Sequence, residues 1–331
     1  MELVCPAGNF PALKAAVDNG ADAVYLGLNN KTNARFFPGL NFKATRLETV
    51  VDYAKSRGVK VFLAINTYPE EAMFRHWCEA VDCGAELGVD ALIIADLGVL
   101  DYATEHYPQI NRHLSVQGSA TNKPALDFYH SNFGIKRAVL PRVLSLKQVQ
   151  RLADKSSVPL EVFGFGSLCI MAEGRCYLSS YLTGDSPNNS GVCSPAHAVQ
   201  WKNKGDQLET RLNGILIDVY EPDEPAAYPT LCKGRFHING NLIHALEEPT
   251  SLNALNLIPE LSAAGIAAIK IEGRQRSPAY VAAVTQVWRE ALDDFEKTTE
   301  LWQPQQRWMQ LLSDLSEGSQ TTLGAYHRSW Q

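Results

Sequence analysis

The feature that most restricts the fold is a recurring unit in which a glycine is followed at once by a short apolar run. It occurs as Gly20-Ala-Asp-Ala-Val-Tyr-Leu, Gly58-Val-Lys-Val-Phe-Leu, Gly88-Val-Asp-Ala-Leu-Ile-Ile and Gly265-Ile-Ala-Ala-Ile-Lys-Ile. Glycine suits the residue after a helix, where φ turns positive, and an uninterrupted β-branched run suits a strand buried on both faces. Strand and helix therefore alternate. The pattern places eight strands near residues 2–6, 23–27, 60–66, 91–96, 113–118, 137–142, 160–165 and 267–272. Eight such units predict an α/β fold, a (β/α)8 TIM-type barrel. The rival arrangement is an open doubly wound sheet with a separate C-terminal module.

The final helix of the ring has clear start chemistry. Ser277 can cap it, Pro278 fits its first turn, and Val281, Val284, Trp288, Ala291 and Phe295 share one face. Residues 167–249 break the alternation, which divides the chain into a barrel (1–166 and 250–297), an insertion after strand seven (167–249) and a C-terminal extension (298–331). The insertion reads as loop-dominated: Thr183 to Ser194 is rich in Gly, Ser, Pro and Asn, and Trp201 to Thr210 is polar. One hairpin is legible in it, Lys233 to Ile238 and Asn241 to Leu246, because Asn239-Gly240 supplies the two positive φ values of a type I′ turn.

The predicted strands end in polar residues: Asn29 and Asn30, Asn66, Asp96, Gln117, Arg142, Ser167, Glu272 and Arg274. Barrels of this kind build their sites at the carboxyl ends of the strands, so these residues are the candidate site. Bulk properties narrow the chemistry. A net charge of −6 argues against a broad nucleic-acid surface, and no apolar run approaches the roughly 20 residues needed to cross a bilayer. The start, Met-Glu-Leu-Val-Cys, lacks a charged segment followed by an apolar core, so a cytoplasmic location is expected.

Four of the seven cysteines, Cys169, Cys176, Cys193 and Cys232, fall in or beside the insertion, spaced C-x6-C, then x16, then x38. In a reducing compartment clustered thiols more often hold metal than form bridges. The spacing lacks the C-x2-C pairs usual for structural zinc, and it leaves an iron-sulfur cluster, zinc and plain buried thiols all open. Cys5, Cys78 and Cys83 are scattered and read as small core residues.

The segment Glu161-Val-Phe-Gly-Phe-Gly-Ser-Leu-Cys-Ile-Met-Ala-Glu-Gly-Arg-Cys-Tyr-Leu-Ser179 resembles the hallmark of the collagenase-like peptidase family known as U thirty-two. The likeness extends through Cys5-Pro-Ala-Gly-Asn9, Tyr25-Leu-Gly27, Asn33-Ala-Arg35, Lys270-Ile-Glu-Gly-Arg274 and Thr321 to Gln331. It points within that family to the branch acting in ubiquinone biosynthesis, and so implies an iron-sulfur subunit for oxygen-independent hydroxylation of an aromatic ring. It further implies a [4Fe-4S] cluster on Cys169, Cys176, Cys193 and Cys232, a heterodimer with a UbiV-like partner, and prephenate as oxygen donor. A polyprenyl-phenol substrate is too apolar to diffuse in water and would be presented by a lipid-carrier protein.

Prephenate carries two carboxylates, and arginine forks bind carboxylates better than lysine does. Arg35, Arg142 and Arg276, with Lys270, Asn66 and Gln117, are therefore the expected substrate-binding residues, and Glu272 and Arg274 the expected catalytic ones. RNA-base hydroxylation by a member of the same family, and a non-catalytic iron-sulfur scaffold, are the competing functions. Proteolysis gains no support, since neither H-E-x-x-H nor G-x-S-x-G occurs. The aromatic tail residues Trp308, Tyr326 and Trp330 would either face a partner or pack back on the barrel.

Overall fold

The computed structural model describes residues 1–37, 39–169, 176–185, 187, 193–224, 226–297 and 302–327. Its first half is a regular alternation: β1 (Glu2–Pro6), α1 (Phe10–Asp18), β2 (Ala23–Gly27), α2 (Ala44–Lys55), β3 (Lys60–Ile65), α3 (Phe74–Glu86), β4 (Ala91–Ile94) and α4 (Leu97–His106). It continues through β5 (Asn111–Leu114), α5 (Lys123–Phe133), β6 (Arg137–Val139), α6 (Leu146–Ala153) and β7 (Leu160–Ser167). The four glycines of the recurring unit all have positive φ, as the helix-to-strand turn demands.

After β7 come α7 (Leu178–Thr183), β8 (Val199–Lys204), β9 (Gln207–Leu212), β10 (Ile215–Tyr220), β11 (Arg235–Ile238) and β12 (Asn241–His244). The chain then returns through β13 (Ser251–Asn253), α8 (Ile258–Ala263), β14 (Ala268–Ile271) and α9 (Pro278–Lys297), and ends with α10 (Gln306–Asp314) and β15 (Thr321–Thr322). Strands β1 to β7 pair in parallel in sequence order, and β14 pairs in parallel with both β1 and β7. The ring is closed. The architecture is the eight-stranded TIM-type barrel, not an open sheet.

Side chains alternate across the barrel wall as a period of two requires. Leu3, Cys5, Val24, Leu26, Val61 and Leu63 pack outward against the helices, whereas Val4, Ala23, Tyr25, Phe62, Ala91 and Ala268 fill the interior. The interior also carries charge. Glu161 is 1% exposed and accepts from Lys270 Nζ at 2.7 Å and Arg137 Nη1 at 3.1 Å, and Arg137 reaches Glu2 as well. His113 lies edge-on to Phe62, and burial beside Arg137 pushes its pKa down to about 3, leaving it neutral.

Helix α9 behaves as its sequence suggests: Ser277 Oγ accepts from Tyr280 N, and Val281, Val284, Trp288 and Ala291 are buried. Several strands end earlier than expected, the fifth and sixth by the most. The fifth is Asn111–Leu114, because Ser115 Oγ accepts from Gln117 N and starts a 3-10 turn over Val116–Gly118, and the sixth stops at Val139. Gln117 and Arg142 therefore sit on loops beyond their strands.

The insertion departs further from the loop-dominated expectation. β8, β9 and β10 form an antiparallel sheet, so the polar stretch Trp201 to Thr210 is largely strand, with β8 mostly exposed and Glu209, Thr210 and Leu212 of β9 buried. Ala198, Leu212 and Ile217 make a small core of its own. β11 and β12 form the expected hairpin, with φ of 52° at Asn239 and 83° at Gly240.

The eight residues of β7 outrun the three of β6. β13 takes the edge left over, antiparallel, with Gly164 O accepting from Ala254 N while Phe165 O on the other side accepts from Glu272 N. β15 pairs with β13 in turn. The tail packs back on the barrel: Trp302 stacks on Trp308, both are buried, and the Tyr326 hydroxyl donates to Phe163 O. Trp330 lies outside the described residues. Among the described residues no helix is long and apolar enough to cross a membrane.

The loops after β1 and β14 cross tightly, since a Cβ on Gly8 would lie 1.6 Å from Arg274 O. Gly8→Ala is expected to cost about 3 kcal/mol, the upper end for overpacking, read from the urea midpoint. Gly205→Ala, with φ of 62° but open space around it, should lose about 1 kcal/mol to backbone strain alone. Equal losses would show that the crossing is loose.

Candidate functional site

A cavity of about 1310 Å³ opens at the carboxyl ends of the strands, between the barrel and the insertion. Its floor is set by the chain after β14. Gly273 adopts a φ of 156°, which swings the following residue back over the barrel mouth. Arg274, 5% exposed, donates from Nη1 to Asn33 Oδ1 at 2.9 Å and from Nη2 to Ala34 O, and its guanidinium lies 5.6 Å from the Tyr25 ring centre. Burial pushes its pKa down to about 10, so it stays charged at neutral pH. Asn66 completes this grip: Oδ1 accepts from Ala34 N at 2.9 Å and Nδ2 donates to Ser115 Oγ at 3.2 Å. Arg274 and Asn66 thus hold the 33–35 loop from opposite sides.

That loop presents Arg35, whose φ of 82° is a strained value for a residue with a Cβ. Its Nε lies 3.6 Å from Glu272 Oε1, and Ser167 N donates to Glu272 Oε2 at 3.3 Å. Burial pushes the Glu272 carboxyl up, but Arg35, Arg142, the Ser167 N–H and Arg276 outweigh it and hold the group below the ordinary carboxylate range. Glu272 is a buried anion. Arg142 donates to Ser167 O at 2.8 Å and lies over the Phe163 ring, and Arg276 donates to Leu315 O at 2.8 Å and lies over Tyr280. Gln117 lines the same cavity, its Oε1 buried and lacking a hydrogen-bond partner among the described residues.

Lys270 is placed differently from the expectation. Two residues before Glu272 on the same face, it sits one layer deeper, inside the barrel, where it pairs with Glu161 and lies 4.0 Å from the Tyr25 ring centre. It does not line the cavity. Arg274 is likewise spent on Asn33 and Ala34, so its geometry is that of a positioning residue.

Cys169, Cys176, Cys193 and Cys232 all line the cavity. Cys169 lies just past β7, Cys176 just before α7, and Cys232 in the 3-10 turn that leads into β11. The described residues include all seven cysteines, and none is disulfide-bonded. Burial pushes the Cys232 thiol up to about 12, with Cys169, Cys193 and Cys176 adding to the rise, and burial raises Cys193 too. The other three sulfurs are near enough to Cys232 to oppose its ionisation. A thiolate quartet here needs a cationic centre, and four sulfur donors are what zinc or an iron-sulfur cluster takes. Among the described residues no three His, Cys, Asp or Glu side chains are grouped closely enough to hold a metal ion. Parts of the connecting segments, 170–175 and 188–192, lie outside the described residues.

Sequence reasoning missed Glu317. Its carboxylate accepts from Ser167 Oγ and pairs with Lys233 Nζ, joining tail, barrel and insertion at the cavity wall. A lone glutamate in a polar tail carries no periodic signal, although Lys233 beside Cys232 marked the place where a counter-charge was needed. Tyr25 and Asn33, which hold Arg274, were visible only as parts of matching segments.

A closed barrel with a cysteine-bearing insertion over its mouth defines a distinct class of TIM-barrel protein. The chain matches the family described as Peptidase family U32 over residues 8–329, and it belongs to that family. It is 35% identical over 301 residues to an uncharacterised protease of Methanocaldococcus jannaschii, covering 88% of this chain and 65% of that protein. It is 30% identical over 318 residues to tRNA hydroxylation protein P of Escherichia coli, covering 88% and 68%. With a 23S rRNA 5-hydroxycytidine synthase of Escherichia coli it shares 29% over 293 residues, covering 88% and 39%. The chain thus spans about two thirds of the length of the first two relatives.

Two variants test the assigned roles. Lys270→Met leaves Glu161 buried with one partner fewer, and a loss of about 3 kcal/mol is expected in urea denaturation; unchanged stability would contradict the structural role. For Glu272, a folded pKa below its ordinary 4.5 means its contribution is present above the unfolded value and lost as pH falls through the folded one. Glu272→Gln should therefore be less stable than wild type at neutral pH, with the gap closing only in acid below the ordinary carboxylate range. A gap that is constant with pH would show that ionisation is not its source.

Proposed function

We propose that this chain is the iron-sulfur subunit of an oxygen-independent hydroxylation system that adds a hydroxyl to the aromatic ring of a ubiquinone precursor, acting as UbiU does with a UbiV-like partner. The observation that carries the reading is the sharing of one cavity by the four cysteines and by Glu272 with Arg35, Arg142 and Arg276. The hydroxylation names of several relatives support the reaction class.

Three guanidinium groups around one buried carboxylate leave the cavity floor net positive, which suits a small dianion such as prephenate, bound through charge-assisted forks. Replacing a ring C–H with C–OH, using oxygen at the oxidation level of water, releases two protons and two electrons, and the electrons require an external electron-carrier acceptor that takes them one at a time. Glu272, ionised at neutral pH, would accept one of these protons, with Arg35 and the Ser167 N–H holding the carboxylate. Arg274 and Asn66 keep the Arg35 loop in register. Cys169, Cys176, Cys193 and Cys232 would hold the [4Fe-4S] cluster, which when bound supplies one-electron transfer.

The polyprenyl-phenol would arrive on a lipid-carrier protein. A second reading, hydroxylation of an RNA base, is favoured by the names of the tRNA hydroxylation relatives and opposed by the net charge of −6. Anaerobic purification should give about four irons and four sulfides per chain, with a cluster signature in paramagnetic resonance. In an anaerobic assay with the partner present, Cys176→Ala should lose both iron and hydroxylation. Arg142→Met should keep its iron yet lose activity at least ~10-fold, equivalent to about 1.4 kcal/mol of binding. An iron-free wild type would overturn the cluster reading. Full activity in Arg142→Met would leave a scaffold role, and turnover of RNA in place of the phenol would establish the second reading.

A further inference from the structure

We propose that Glu317 is a positioning residue that fixes the Cys232 turn against the end of β7 and so sets the separation of Cys169 from Cys232. The inference rests on the cluster reading above. One carboxylate oxygen of Glu317 pairs with Lys233, the neighbour of Cys232, and the other accepts from the hydroxyl of Ser167, two residues before Cys169. Both ligand-bearing segments are therefore held by one side chain that belongs to neither.

The turn that carries Glu317 is itself fixed. Its N–H donates to Ser251 Oγ at 3.0 Å, and Gln320 O accepts from Ser251 N at 3.1 Å. Arg276 holds Leu315 O on the preceding residues. The next residue, Gly318, has φ of 59° and is pressed so close to Pro249 O that a Cβ would lie 2.7 Å away. The Lys233 and Glu317 side chains are 14% and 26% exposed, so the pair is better shielded than a surface ion pair, and its carboxylate is shared with a second donor. The Cys232 turn has other ties, Glu247 N to Cys232 O and His244 to Lys233 O, but these run within the insertion. Glu317 links it to the barrel.

The test compares wild type with E317Q, E317D, K233M and the charge-swapped K233E/E317K, all purified anaerobically as full chains. E317Q and K233M should hold at least two-fold less iron or show a displaced cluster spectrum, with thermal midpoints near that of wild type. E317D should fall between E317Q and wild type, and the swap should recover iron relative to both single changes. Iron content and spectra equal to wild type in E317Q and K233M, or a swap no better than either, would overturn the proposal. If wild type itself holds no iron, the cluster reading fails alone. The positioning role is then read in the metal-free chain as the alkylation rate of Cys232 relative to Cys169. A rise of two-fold or more in E317Q, reversed in the swap, supports it, and an unchanged ratio overturns it.

Discussion

Ring closure by β14 is the constraint on which the rest of the molecule depends. This four-residue strand pairs with β1 on one side and β7 on the other, and without it the seven preceding strands would leave two unpaired edges. The residues that follow it build the site. Glu272 N is still bonded to Phe165 O as the last rung of the closing ladder, and its side chain already faces Arg35 and the Ser167 N–H. Gly166 permits this approach, since a Cβ there would lie 2.6 Å from Glu272 Cβ. Closing the barrel and assembling the cavity floor are thus one structural event.

Charge is layered along the barrel axis in a way that offsets the cost of burying it. The lowest layer is the Glu2, Arg137, Glu161 and Lys270 network, the next is the Tyr25 ring, and above it lie Arg274 and then Glu272 with its arginines. Tyr25 lies within cation–π range of two cations, with Lys270 at 4.0 Å and Arg274 at 5.6 Å from its ring centre, so it takes up charge that a leucine would leave exposed to apolar surroundings. Burial and the neighbouring Glu272 push its phenol pKa up, and its hydroxyl is committed to Ile271 O at 2.9 Å. Tyr25 is a neutral spacer. Glu272 is a buried anion at the cavity floor, kept ionised by arginines that converge from loops after three different strands.

The barrel was legible because its signal is local and repeated: short apolar runs that alternate with helical stretches, four of them entered by a glycine needing positive φ. The insertion was less legible because much of it is exposed, and a polar stretch such as Trp201 to Thr210 looks like a loop until pairing is known. Lys270 shows the limit of periodicity. A period of two correctly gives Lys270 and Glu272 the same face, but two residues of strand span about 6.6 Å, enough to put one in the interior and the other in the cavity. Arg274 was legible as a site residue and not as a clamp, since Asn33 and Ala34 are more than two hundred positions away in the chain. Glu317 was not legible at all, because its role exists only once the tail has docked.

The insertion is also where stability and site chemistry meet. Its own core is a cluster of three buried residues, Ala198, Leu212 and Ile217, with a few half-buried neighbours, too small to fix a long excursion by burial alone. Polar ties make up part of the difference: Arg235 with Asp218 at 2.6 Å, Tyr228 to Ser194 O at 3.1 Å, and Lys233 with Glu317. On the cluster reading the thiols would add the remainder. With Cys193 and Cys232 raised by burial, and Cys232 further by the other three thiols, these two groups are disfavoured as anions until a cationic centre compensates them, and binding would then release protons. Seating of the insertion on the barrel and occupancy of the thiol site become linked equilibria, each strengthening the other by the same free energy.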